Sequence, residues 1–197
     1  MSLSETHKKS IADSLVCGAG KIAEHLSRFD GHPWDSKVRT VLYGPEFLRR
    51  LSEESGKIPY WSAYLSAQSD LPMGVHLLIP SKAASVLSQV LAAAYGRGEA
   101  VKLFSPQDAV KEFANISAHI FCGEFGRLSS SIWILSTPEI SRGERNEIIS
   151  NQWRSVKGAD IAFMSAITNT GFQFKMDYEL GLYASEKALE SYFPKEP

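Results

Sequence analysis

Residues 161–182 read IAFMSAITNTGFQFKMDYELGL, and the period of this stretch decides the fold class. From Phe172 onward, Phe172, Phe174, Met176, Tyr178, Leu180 and Leu182 alternate with Gln173, Lys175, Asp177, Glu179 and Gly181. A period of two describes a strand with one buried face and one wet face. Ile161 to Thr168 reads as the preceding strand, and Asn169-Thr170-Gly171 supplies the turn between them. A second pair of the same kind lies upstream. Tyr60 to Ser66 places Trp61, Ala63 and Leu65 on one face, and Gln68-Ser69-Asp70 turns the chain into Gly74 to Ile79.

Helical segments separate these strand pairs. Thr6 to Ser27 carries Ile11, Leu15, Ile22 and Leu26 at helical spacing and is expected to stop before Phe29-Asp30-Gly31. Its internal Gly18 and Gly20 cost about 1 kcal/mol each relative to alanine unless close packing needs them. A short strand, Val38 to Tyr43, and a small helix, Glu46 to Glu53, follow. After Pro80, Ser81 can cap a helix lined by Val86, Leu87, Val90 and Leu91 that stops at Gly96. Ser131 to Leu135 is apolar and strand-like, and Ser129-Ser130-Ser131 marks a helix end or turn. Strand pairs alternating with helices imply an α+β fold, an antiparallel β-sheet with long helices packed on it. No proline-rich or low-complexity linker divides the chain. Residues 1–184 read as one domain, and 185–197 as a short C-terminal helix or tail with apolar Leu189, Tyr192 and Phe193.

Composition excludes several classes of function. The chain has 197 residues, 44% of them apolar and 22% charged, enough to bury a sizeable core. Its net charge of −1, with scattered Lys and Arg, leaves no electrostatic footprint for nucleic acid or an anionic membrane. No apolar run approaches a membrane span and the polar start lacks a signal-peptide pattern, so a cytoplasmic protein is expected. Cys17 and Cys122 form no C-x-x-C pair and read as reduced, semi-buried thiols.

The chemistry concentrates between Ser105 and Pro138. Ser105-Pro106-Gln107-Asp108 is a helix start, with serine as cap and proline in the first turn. Along the helix that follows, Asp108, Glu112, Asn115 and His119 fall at steps of four, three and four. At about 100° per residue they occupy one narrow stripe. Val110, Phe113, Ile120 and Phe121 face the other way. Such a helix offers carboxylates and an amide from its polar side, which suits an active site or a solvated face. Asp108 also has a purely structural reading, since it can satisfy free N–H groups and the helix dipole.

Other chemistries lack their residues. The five histidines, His7, His25, His32, His76 and His119, make no compact metal-binding spacing. Gly18-Ala19-Gly20-Lys21 differs from a phosphate loop because Ile22 stands where a magnesium-binding hydroxyl belongs, and a helix precedes it. There is no G-x-S-x-G nucleophile elbow.

Asp108-x3-Glu112-x2-Asn115, followed by 22 residues and Pro138, resembles the signature of the CheC/CheX/FliY chemotaxis phosphatases. The strand Gly74 to Ile79, the Pro80-Ser81 helix and Pro138-Glu139-Ile140-Ser141-Arg142-Gly143 occur in the order found in that family. Asp13-Ser14-Leu15-Val16-Cys17-Gly18-Ala19-Gly20 is similar to a worn second copy of the motif, with Val16 in the asparagine slot. Valine cannot hydrogen-bond a water, so one working site is expected, as in CheX, within a CheC-like fold carrying a degenerate internal duplication.

The resemblance implies hydrolysis of the aspartyl phosphate of CheY or a related response regulator. It assigns Asn115 to positioning water and Glu112 to pairing with the regulator's active-site lysine, with Asp108 and Pro138 as supporting motif residues and His119 as a further partner contact. No cofactor is expected in this chain; Mg2+ would come with the phosphorylated partner. The alternative is a non-catalytic signalling or flagellar-switch adaptor of the same fold that binds a response regulator. The family includes dimers formed through sheet pairing, so a homodimer with Phe172 to Leu182 at a sheet edge is a further expectation.

Overall fold

The computed structural model describes residues 3–43, 58–68, 73–95, 104–129 and 132–192. The expected helix at Glu46 to Glu53, most of the Gln68-Ser69-Asp70 turn and the helix stop at Gly96 lie outside these residues. The sheet is built from β1 (Asp35–Tyr43), β2 (Pro59–Ser66), β3 (Met73–Pro80), β4 (Glu139–Glu144), β5 (Ile161–Thr170) and β6 (Lys175–Ala184). The helices are α1 (Glu5–Asp30), α2 (Ser81–Tyr95), α3 (Pro106–Ser129), α4 (Arg145–Ser155) and α5 (Glu186–Tyr192).

Both expected hairpins form. β2 pairs with β3 from Tyr60↔Pro80 to Ser66↔Gly74, and β5 pairs with β6 from Ile161↔Ala184 to Thr170↔Lys175. The second hairpin turns later than its sequence suggests. Gly171 N–H bonds the Phe174 carbonyl at 2.8 Å, leaving Phe172 in the turn, 74% exposed and stacked on His32. The alternation holds from Met176, where Met176, Tyr178, Leu180 and Leu182 all enter the core.

The six strands run β1-β5-β6-β3-β2-β4, and every neighbouring pair is antiparallel. This order exposes the internal duplication. Each half contributes a long helix, an edge strand, a hairpin and a closing helix: α1, β1, β2–β3, α2, then α3, β4, β5–β6, α5. The edge strand of each half flanks the other half's hairpin. The halves meet where β3 pairs with β6 about the pair His76↔Gly181, with Gly74↔Tyr183 on one side and Leu78↔Glu179 on the other. β6 therefore lies in the interior of the sheet, and β1 and β4 are its edges. The expectation of Phe172 to Leu182 as an edge strand is corrected: β5 pairs along the whole of β6, and β3 takes its other side from Glu179 to Ala184.

One sheet face carries the long helices. Ala63, Leu65, Val75, Leu77, Ile79, Phe163 and Leu182 pack with Ile11, Leu15 and Ile22 of α1, Leu87 and Leu91 of α2, and Val110, Phe113 and Phe121 of α3. α1 and α3 approach closely at Gly18, where an added Cβ would sit 3.6 Å from the Phe121 Cα. That is an ordinary van der Waals distance, and Gly20 has open space around it, so close packing demands neither glycine. α1 runs past its expected end because Gly31, at φ 79°, caps it in the left-handed conformation and returns its N–H to the Ser27 carbonyl. Ala188 and Leu189 of α5 are fully buried in the same core.

The other face is wet only in part. α4 covers Tyr64, Leu78, Ala162, Met164 and Tyr183 through Ile148, Ile149 and Trp153. Under it, His76 is fully buried between Ser62 Oγ at 2.7 Å and Tyr183 OH at 3.1 Å, and burial pushes its pKa down to about 3. Gly74 makes this arrangement possible, since a Cβ there would lie 2.2 Å from the Tyr64 hydroxyl. Arg145 clamps α4 to β6 with two bonds to the Glu179 carboxylate, at 2.6 and 2.7 Å. Among the described residues, no helix is long and apolar enough to cross a membrane.

Candidate functional site

α3 begins with a reciprocal cap. Asp108 N–H bonds Ser105 Oγ at 3.1 Å, and the Ser105 hydroxyl donates back to Asp108 Oδ2 at 2.6 Å. Two groups at the helix start are thereby satisfied, and an acidic residue sits in the positive first turn. Val110, Phe113, Ala114, Ser117, Ala118 and Phe121 are buried. The opposite side presents Asp108, Lys111 and Asn115 as exposed residues, with Glu112 half-buried.

These four residues line an open groove of about 450 Å³, together with Phe104, Thr137 and Pro138. Asp108, Glu112, Asn115 and Pro138, separated by up to 30 positions in sequence, thus share one site. Pro138 reaches it through the sheet. The segment before β4 runs along the end of β2, with Leu135 bridging Ala67, Ser136 N–H bonding the Ser66 carbonyl at 2.8 Å, and Glu139 pairing with Tyr64. Proline has no N–H to give a ladder, and Pro138 stands where the pairing is interrupted. Ser131 of the expected strand over Ser131 to Leu135 lies outside the described residues; residues 132–135 form no regular strand and meet the sheet at Ile134, which accepts from Gln68 N–H at 2.8 Å, and at the Leu135 bridge.

His119 belongs elsewhere. Its Nδ1 donates to the Asn115 carbonyl at 2.7 Å, and its ring lines a neighbouring, mainly apolar groove of about 420 Å³ with Cys122, Gly123, Gly126, Arg127, Ile132 and Trp133. Helical spacing puts His119 on the stripe; the chain that packs beside each turn puts it in a different groove.

The electrostatics of the site extend to α1. Burial lowers the pKa of His25, Arg28 lowers it further, and the Glu112 carboxylate opposes both. Glu112 therefore senses α1 as well as solvent.

The worn copy on α1 offers no equivalent site. Asp13 is exposed, and Val16, at 51% exposure, presents a branched hydrocarbon where α3 presents an amide. Beside it, Cys17 is exposed and not semi-buried, because it faces outward from α1. Its thiol donates to Glu124 Oε2 at 3.0 Å, and this bond raises its pKa. Lys21 and Cys17 hold the Glu124 carboxyl below its usual range. A thiol kept protonated in this way is a poor nucleophile. Cys122 is buried, with its pKa pushed up to about 12. Among the described residues, no group of three His, Cys, Asp or Glu side chains is placed to hold a metal ion.

Phe104, Lys111 and Thr137 also line the groove, and motif reading does not find them. Lys111 had a signal of its own, since it lies three residues after Asp108 and four before Asn115. Phe104 precedes the cap, and only the path of the chain after α3 reveals Thr137.

No family model and no curated protein matches the chain. Solved structures do. FliY from Thermotoga maritima superposes with a TM-score of 0.72 at 17% identity, over 100% of each chain. The FliM middle domain from H. pylori gives 0.62 at 12% identity, over 96% of this chain and 98% of the other. A chain of the CheX–CheY–BeF3–Mg2+ complex from Borrelia burgdorferi gives 0.50 at 11% identity, over 88% and 97%. The six-stranded antiparallel sheet with its duplicated helix-and-hairpin halves is thus the CheC-like fold that this chain shares with FliY, the FliM middle domain and CheX.

Proposed function

We propose that this chain is a CheX-type phosphatase acting on the aspartyl phosphate of a CheY-like receiver domain. The observation that carries the reading is the common groove of Asp108, Glu112, Asn115 and Pro138, open to solvent and lined by the amide and the carboxylate that the motif resemblance assigns to the reaction. The likeness to a chain solved with CheY, BeF3 and Mg2+ adds support for a receiver domain as partner.

The chemistry asks little of this chain. An aspartyl phosphate is already an activated acyl compound, and the partner brings Mg2+ and lysine, so orienting a water for in-line attack is the remaining task. Asn115 suits that task because its amide carries an acceptor and two donors. Glu112 docks α3 by pairing with the partner's lysine, and Asp108 shapes the helix start. No group of this chain is asked to act as a base.

The second reading is an adaptor that binds a receiver domain without hydrolysing its phosphate. The likeness to the FliM middle domain favours it as a use of the same fold. Purified protein mixed with phosphorylated CheY separates the two. Faster phosphate release that Asn115→Ala abolishes supports the enzyme. Binding with unchanged release leaves the adaptor.

A further inference from the structure

Thr137 and Asn115 reach the same groove from two different chain segments. Thr137 is exposed, and its hydroxyl has no hydrogen-bond partner among the described residues. Its backbone is held from both sides. Ser66 N–H bonds Ser136 Oγ at 3.0 Å, and the Ser136 hydroxyl donates to the Thr137 carbonyl at 3.2 Å. On the other side, Pro138 restricts Thr137 to extended backbone, and Glu139 returns to the ladder opposite Tyr64. The sheet, not a free loop, therefore sets where this hydroxyl stands.

A water attacking in line must aim one lone pair at phosphorus. One hydrogen bond leaves it free to rotate; two fix its direction. The Asn115 side-chain oxygen Oδ1 can accept one of its hydrogens. Of the carboxylates, Asp108 is tied to Ser105 through Oδ2, with Oδ1 as a charged acceptor, and Glu112 is assigned to the partner's lysine. Thr137 Oγ1 is the remaining neutral acceptor lining the groove.

We infer that Thr137 is a positioning residue whose hydroxyl oxygen accepts the second hydrogen of the hydrolytic water. This rests on the phosphatase reading above. In the step it serves, the water oxygen forms a bond to phosphorus while the bond from phosphorus to the aspartyl oxygen breaks. The electron pair of that bond leaves with the carboxylate. After the new bond forms, one of the two protons leaves its hydrogen bond for a phosphoryl oxygen, so an acyl phosphate dianion and water give a carboxylate and dihydrogen phosphate, with no redox change.

The test is steady-state release of phosphate from phosphorylated CheY by the wild-type chain and by Thr137→Val, Thr137→Ser and Asn115→Ala. Thr137→Val is expected to lower kcat about tenfold, the effect of one neutral hydrogen bond, with KM within twofold of wild type. Thr137→Ser keeps the hydroxyl and should restore kcat, which a role in packing the methyl group would not do. Wild-type kcat in Thr137→Val alongside an inert Asn115→Ala overturns this inference and leaves the phosphatase standing. A rise in KM alone also overturns it. An inert wild-type chain overturns both.

Discussion

The His119 ring is tied back to its own helix, with Nδ1 donating to the Asn115 carbonyl at 2.7 Å. That bond fixes the tautomer and spends the proton of Nδ1 on the backbone turn from which the Asn115 side chain projects. The imidazole then borders the groove of Ile132 and Trp133, not the groove of Glu112. His119→Ala should therefore keep turnover within about twofold of wild type, whereas Asn115→Ala abolishes it. Because an amide does not titrate, the accelerated rate should vary little between about pH 6.5 and 8 once the partner's own dependence is subtracted. A strong inflection there that disappears in His119→Ala would return the histidine to the reaction.

Glu112 calls for a different kinetic signature. A docking carboxylate contributes equally to the ground and transition states, so its loss should appear in KM. Glu112→Gln keeps the shape and removes the charge. Hydrogen bonds to charged groups are worth about 1.5–3 kcal/mol, so KM should rise by about tenfold or more while kcat stays within a few-fold. Progress curves at saturating phosphorylated partner decide it, and a loss confined to kcat would move Glu112 from docking to the chemical step.

A third prediction concerns stability on the far face of the sheet. Burial holds His76 neutral, with its pKa pushed down to about 3, while in the unfolded chain it titrates near the ordinary histidine value of about 6.5. Between these values the unfolded state binds more protons, so its contribution to stability is fully present above about pH 6.5. It is lost progressively as the pH falls toward 3. The slope from this one residue is at most about 1.4 kcal/mol per pH unit. Urea unfolding from pH 7 to pH 4 should show it, with the His76 ring remaining neutral by nitrogen NMR in the folded protein. A ring that titrates near pH 6 without unfolding would contradict its enclosure by Ser62 and Tyr183.

What the sequence could reveal depended on how local each feature is. The β5–β6 hairpin was readable because its alternation persists through Leu182, and the stripe of Asp108, Glu112 and Asn115 because one helix places all three. α4 was not: Arg145 to Ser155 offers only Ile148, Ile149 and Trp153 as apolar anchors, too few to set a period. The strand order was equally hidden. β1 must cross to β5, and β4 to β2, pairings between segments more than 70 positions apart. Thr137 entered the groove by that second crossing, so no reading of α3 alone could reach it. The place of His119 was hidden for the complementary reason: its angle on the helix was right, but Ile132 and Trp133, contributed by the returning chain, decide which groove it joins.

Asp108 provides the last separation of structure from chemistry. Its backbone N–H and its carboxylate both engage Ser105, and it stands in the first turn of α3. If capping is its role, Asp108→Ala and Ser105→Ala should behave alike. Each should cost about 1 kcal/mol of stability, which lowers Tm by about 2–4 °C in a domain of this size. Because each removes the same reciprocal pair, the double variant should lose little more than either alone. Turnover should stay within a few-fold of wild type in all three, since Asn115 lies two turns further along a helix anchored by Phe113 and Phe121. A loss of turnover in Asp108→Ala comparable to that in Asn115→Ala, with Ser105→Ala unaffected, would instead place the Asp108 carboxylate against the substrate.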